Sequence, residues 1–134
     1  MEYGDMTVQD EAVVLPLRKI ITTSRNMADA TSSVGITGIG FRPSYISLYY
    51  AQENTSVWGY GFSDGTTGRS INSRHQLSAD TVTAVGSIIM EAHQGSPNTV
   101  QAEIVSLDID GFTINYTKIN SPTGVLQMYF TAFK

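Results

Sequence analysis

The side chains that could do chemistry are few and scattered. The chain has two histidines, His75 and His93, and no cysteine. A zinc site would need three or four ligands drawn from His, Asp and Glu alone, and no His-x-His or His-x-x-x-His spacing supplies a start. Hydroxyls are plentiful, but no Gly-x-Ser-x-Gly elbow presents one as a nucleophile. The run Asp108-Ile109-Asp110-Gly111 resembles the opening of a calcium loop, which requires further oxygen ligands and a glutamate twelfth in line. Phe112 and Ile119 stand where such a loop needs polar ligands, so the run reads as a hairpin turn. Twelve acidic residues spread over turns and the N-terminus single out no opposed pair of the kind glycosidases use. The glycines of GITGIGF, residues 35–41, follow a strand pattern with no lysine after them, unlike a phosphate-binding loop. Neither a catalytic group, a cofactor nor a metal is expected, and the reading is of a protein that is not an enzyme.

The elements that would position any site are strands. From Gly40 to Phe62 the sequence holds seven aromatic residues in 23 positions. Trp58, Tyr60 and Phe62 alternate with Val57, Gly59 and Gly61, and strand geometry places the three rings on one face. Large rings opposite glycines suggest an aromatic inner layer. Ile46, Leu48 and Tyr50 share a face, as do Phe112, Ile114 and Tyr116, and Leu126, Met128, Phe130 and Ala132. Pro16 would break a central ladder, so the Val13–Thr23 strand lies at an edge or is interrupted there. Residues 69–85 show neither helical spacing nor clean alternation and read as a long connection with one short strand or helical turn. The count is about eight short strands punctuated by Gly, Asp, Asn and Pro. The fold class expected is all-β: a single antiparallel β-sandwich, jelly-roll-like, over residues 13–134, preceded by an N-terminal arm of residues 1–12. The expected core is Ile46, Leu48, Trp58, Phe62, Ile88, Ile104, Phe112, Ile114, Met128 and Phe130.

Composition narrows the partners. The 134 residues carry a net charge of −4, which argues against a nucleic-acid backbone or an anionic membrane as the main partner. No apolar run reaches the length that spans a bilayer. The opening residues MEYGDMTVQDE are acidic and lack the basic and apolar regions of a signal peptide, which points to a protein made in the cytoplasm without a secretion route. Tyrosine surplus points to contact surfaces, because the ring has an apolar body and a polar tip. Tyr45, Tyr49 and Tyr50, with Tyr3, Met6 and Val8 of the arm, are the candidate interface. If a ligand is bound instead, Glu53, Asn54, Asp64, Arg69 and His75 are the candidate ligand loop, and a carbohydrate is the ligand such residues suit.

The order of motifs carries a resemblance. A Gly-Phe-x-Pro turn leads into an apolar strand (GFRPSYISLYY), a Trp strand ends in Gly-Phe-x-Asp-Gly (VWGYGFSDG), and DIDGFTINY precedes the aromatic strand MYFTAF. Over residues 32–133 this resembles a small β-sandwich module of tailed-bacteriophage virion proteins, found in capsid-associated and in tail or fibre proteins. The resemblance implies a structural or adhesive role. For a chain that is nearly all module it implies a capsid decoration (cement) protein, on the virion surface, whose partners are the major capsid protein and copies of itself in a homotrimer. The alternative it allows is a tail-associated receptor- or carbohydrate-binding module.

Overall fold

The computed structural model describes residues 17–76, 79–95 and 97–134, with only the backbone considered for 75, 76 and 79–81. The arm, with Tyr3, Met6 and Val8, and Pro16 lie outside the described residues. Among the described residues, ten strands run in chain order: β1 Arg18–Asn26, β2 Ser32–Ile36, β3 Tyr45–Gln52, β4 Trp58–Ser63, β5 Gly68–Gln76, β6 Ala79–Gly86, β7 Met90–His93, β8 Thr99–Asp108, β9 Gly111–Ile119 and β10 Val125–Phe133. They hydrogen-bond in the order β1-β10-β3-β4-β5-β7-β8-β9-β2, with β6 also paired to β5. Every pairing is antiparallel except β5 with β7, which touch in parallel at the single pair Arg74 and His93. The chain is all-β, as the alternation implies. The sandwich is one sheet of ten strands curled to face itself, rather than two sheets totalling eight.

Alternation builds the core directly. In β10, Leu126, Met128, Phe130 and Ala132 are buried, and their register partners on β3 include Tyr50, Leu48 and Ile46. Across the interior, β9 contributes Phe112, Ile114 and Tyr116, and the Phe112 and Phe130 rings meet with centroids 5.3 Å apart. A bulge between Ile104 and Ser106 shifts the phase of β8, so that Ile104 and Leu107 both reach the core while Val105 faces solvent. Arg25 holds the two ends of the sheet together. Its guanidinium lies 4.3 Å over the Tyr116 ring and donates to the Ala30 carbonyl at 2.7 Å, inside the β1–β2 connection.

Two expectations are corrected. Residues 69–76 and 79–85 are not a connection but lie in the paired strands β5 and β6. The inward side chains Ser70 and Asn72 of β5 are polar, so the apolar alternation that betrays a strand is missing. Trp58 and Phe62 are not core residues, being 46% and 37% exposed, and the Tyr60 ring lies on the same outer face. The face toward the interior is the glycine face. A Cβ on Gly61 would lie 1.6 Å from the Ile89 carbonyl oxygen, and one on Gly59 would lie 2.2 Å from the Tyr50 hydroxyl. Backbone approaches so closely that no side chain fits, and the rings are pushed outward. Ile88 is likewise only partly buried, and its neighbour Ile89 takes the core position. Trp58→Ala is therefore expected to cost about 1 kcal/mol, well short of the roughly 3–5 kcal/mol for a fully buried ring, and a thermal melt displaced by only a few degrees checks this.

Candidate functional site

Two surfaces stand out, one on the outer face of the sheet and one at a loop end. The first is the outer face of β1-β10-β3-β4-β5-β6. Register aligns one row of side chains across all six strands: Thr22, Tyr129, Tyr49, Tyr60, Ile71 and Ala84. Tyr49 and Tyr129 are 62% and 51% exposed, and the Tyr49 ring packs against Tyr60 at 4.6 Å between centroids. Tyr45 stacks on Phe62 at 5.9 Å and meets Phe133 at 5.5 Å, extending the same patch. A depression of about 440 Å³ runs beside Tyr60, Phe62, Ile71 and Ala84, with Arg69 also lining it. Partial burial and the neighbouring Tyr60 hydroxyl push the Tyr45 phenol up to about 12. Such a surface offers rigid apolar area with hydroxyl tips, which suits contact with another macromolecule.

The second is a polar cleft of about 420 Å³ between the β3–β4, β7–β8 and β9–β10 loops. Antiparallel hairpins bring these three loops to one end of the sheet. Gln52, Asn54, Thr55, Ser56, Gln94, Asn98, Ser121 and Thr123 form its polar wall, with Val57 beneath, and none of them is charged. Gln94 donates to Gln52 Oε1 at 2.7 Å and to the Thr123 carbonyl, and accepts from the Thr123 N–H at 2.8 Å. Gln52 donates to the same Thr123 carbonyl at 3.0 Å. Asn98 Oδ1 accepts from Asn120 and from the Ser121 N–H. The amides therefore sit in fixed orientations.

A third cluster is buried. Glu91 accepts from Arg74 Nη2 at 2.6 Å and Nε at 3.1 Å, from Asn72 at 3.0 Å and from Gln101 at 3.1 Å. The Tyr50 hydroxyl donates to the Glu91 carbonyl and accepts from its N–H, both at 3.1 Å. Burial alone would raise the Glu91 carboxyl, but the donors Asn72, Gln101 and Arg74 together hold it below the ordinary glutamate range. Glu91 is 5% exposed, so the cluster is a staple between strands and not a surface site.

The structure separates the residues that the sequence grouped. Tyr45 and Tyr49 lie on the outer aromatic face, but Tyr50 points inward, 2% exposed, with its hydroxyl on Glu91. Of the candidate ligand loop, only Asn54 lines the cleft. Glu53 is exposed in the same turn but is not among the lining residues. Asp64 sits in the β4–β5 turn, where it accepts from the Thr66 and Thr67 N–H groups at 2.9 and 2.7 Å. Arg69 borders the aromatic face, and the side chain of His75 lies outside the described residues. His93 is buried, with Nδ1 accepting from the Gly95 N–H. Asp110 accepts from the Gly38 and Gly40 N–H groups at 3.0 and 2.6 Å, and Asp108 accepts from Ser106 and Thr113. The DIDG run thus pins the loop after β2. Among the described residues, no group of three or more His, Asp or Glu could hold a metal ion.

Gln94, Asn98, Ser121 and Thr123 were not singled out by the sequence as site residues. Their signal was present in three amide- and hydroxyl-rich loops, QENTS, HQGSPN and NSPTG, but only strand order shows that these converge. These features define an all-β domain with one exposed aromatic sheet face and one neutral polar cleft. No protein-family model matches the chain, and neither the curated proteins nor the solved structures contain a significant match.

Proposed function

We propose that this chain is a non-enzymatic structural subunit of a phage virion, a capsid decoration protein that sits on the outer shell and stabilises it. The observation that carries the reading is the row of side chains across six strands whose rings, Tyr129, Tyr49 and Tyr60, sit side by side on β10, β3 and β4. Tyrosine supplies large contact area at little cost in side-chain freedom, and interface energy concentrates in such residues. The resemblance of residues 32–133 to virion β-sandwich modules supplies the partner: the major capsid protein, with further copies of this chain completing a homotrimer. Many-copy attachment multiplies a modest affinity per site.

The test uses shells that lack the protein. Tyr49→Ser combined with Tyr129→Ser leaves the core untouched and removes the centre of the face. Co-sedimentation with shells is expected to fall at least tenfold while the melting temperature stays within a few degrees of the parent, since each anchor is worth about 1–2 kcal/mol. Undiminished binding by the variant would remove the aromatic face from the interface. Failure of the parent to bind any shell would remove the decoration reading. Light scattering of the parent is expected to give about three times the 14.6 kDa chain mass at the concentrations used.

A further inference from the structure

The polar cleft at the loop end stands apart from the aromatic face and has its own chemistry. Nine residues line it, and no Lys, Arg, Asp or Glu is among them. Phosphate, sulfate and carboxylate ligands would meet no cation there, and a metal ion would meet no anion. What the walls do offer is amide and hydroxyl capacity in excess of the internal bonds. Gln52 uses one amide hydrogen on Thr123 and keeps the other. Gln94 Oε1 accepts one N–H, from Thr123, and keeps a lone pair. Asn98 spends its oxygen on Asn120 and Ser121, which leaves its amide nitrogen as a donor. Asn54, Ser121 and Thr123 add side chains whose polar atoms have no partner among the described residues.

This is a neutral wall of mixed donors and acceptors, already held in place by the Gln52–Gln94–Thr123 network. A ligand that uses it must be uncharged and carry closely spaced groups that both donate and accept. Vicinal hydroxyls of a sugar ring do this, and the Thr55 and Thr123 methyls and Val57 offer apolar contact to its C–H edges. Fixed amides lower the ordering cost of binding. The volume of about 420 Å³ falls within the range of about 300–1,000 Å³ typical of small-molecule sites. Asn54 and Asn120, two of the three non-glycine residues with positive φ, sit in the loops of this end, at 58° and 59°.

We infer that this cleft binds a neutral carbohydrate, such as the terminal residue or two of a glycan. The site places a sugar at the Gln52, Asn54, Gln94, Asn98, Ser121 and Thr123 wall, and not at the earlier grouping of Glu53, Asp64, Arg69 and His75. It is independent of whether the aromatic face docks on a shell.

The experiment is an amide NMR titration of the full chain with glucose, galactose, mannose and N-acetylglucosamine, and with sialic acid as a charged control. At least one neutral sugar is expected to give saturable shifts confined to residues 52–57, 94–98 and 120–124, with sialic acid giving none. Asn54→Gly suits the positive φ and removes the amide, and Ser121→Ala removes an exposed hydroxyl. The double variant is expected to weaken the same titration at least tenfold with its melting temperature and shell co-sedimentation unchanged. The absence of saturable shifts with all four neutral sugars would overturn the inference. So would shifts that map to Tyr49, Tyr60 and Trp58 instead, or equal binding by the double variant.

Discussion

Gly61→Ala is expected to unfold the protein or lower its melting temperature by 10 °C or more. The added methyl would sit 1.6 Å from the Ile89 oxygen, 2.6 Å from the Ile89 carbonyl carbon and 3.1 Å from the Arg69 oxygen. All three are backbone atoms, so no flexible side chain can swing aside. Ile89 cannot retreat, because its N–H donates to the Ala102 carbonyl at 2.9 Å and its own side chain is fully buried. Gly61 cannot retreat either, since β4 is paired on both sides, to Leu48 of β3 and Ser70 of β5. Overpacking usually costs about 1–3 kcal/mol, and a clash with fixed backbone belongs at or beyond the upper end. Gly35→Ala is the control, because a Cβ there meets nothing within 4 Å. It lies in a strand at the sheet edge and is expected to change stability by less than about 1 kcal/mol. Chemical denaturation of the two variants side by side checks the pair. A Gly61→Ala protein as stable as the parent would mean that β4 and the Ile89 segment do not approach as described.

That clash explains where the sequence was legible and where it misled. β3, β9 and β10 announced themselves because large apolar residues recur at alternate positions in each, and their inward residues are the ones periodicity chooses: Ile46, Leu48, Phe112, Ile114, Met128 and Phe130. In β4 the same rule inverts. Three rings against small residues look like an inward aromatic face, but Gly59 and Gly61 are small because the Tyr50 hydroxyl and the Ile89 backbone occupy their space. A glycine repeated at alternate positions of a strand is itself the sign of such an approach. β5 was hidden because its inward Ser70 and Asn72 are polar, so its sequence lacks the apolar alternation of a core strand. For the sites, only part of the aromatic face could be read, since the β4 rings that complete it looked like core, and the cleft could not be read at all. Tyr45 and Tyr49 lie on the aromatic surface as their spacing implies. The cleft is made by loops about 40 and 70 residues apart along the chain, Gln94 and Thr123 meeting Gln52. Nothing local in the sequence brings these together.

The acid limb of stability is expected to belong largely to Glu91. The curled sheet has one weak seam, where β5 and β7 share a single backbone pair. Side chains replace the missing ladder: Asn72 and Arg74 on β5 reach across to Glu91 on β7, and Gln101, directly opposite on β8, closes the other carboxylate oxygen. The network holds Glu91 ionised by keeping its carboxyl below the ordinary range. A carboxyl that is more acidic in the folded than in the unfolded chain binds fewer protons when folded. Its contribution is therefore fully present above the ordinary glutamate range, and is lost as the pH falls below that range through the folded value. Asp64 and Asp108 are also held low by hydrogen-bond donors and titrate in the same window, so the parent's acid limb alone does not isolate Glu91. Two variants do. Glu91→Ala leaves the Arg74 guanidinium and the Gln101 amide without their acceptor and opens a small void, while the Asn72 amide keeps its bond to the carbonyl of residue 91 at 2.8 Å, and the change is expected to cost about 3 kcal/mol near pH 7. Arg74 is about one-third exposed, which keeps the figure at the low end for a broken buried pair. The penalty relative to the parent should shrink as the pH drops, because the parent loses the same interaction by protonation. Arg74→Met retains Asn72 and Gln101 but removes the charge, so the Glu91 carboxyl rises and the midpoint of the acid limb moves to higher pH. Urea denaturation from pH 3 to pH 7 on the parent and both variants measures all three curves. Parallel curves, with a penalty for Glu91→Ala that does not change with pH, would show that the staple acts by packing and not by charge.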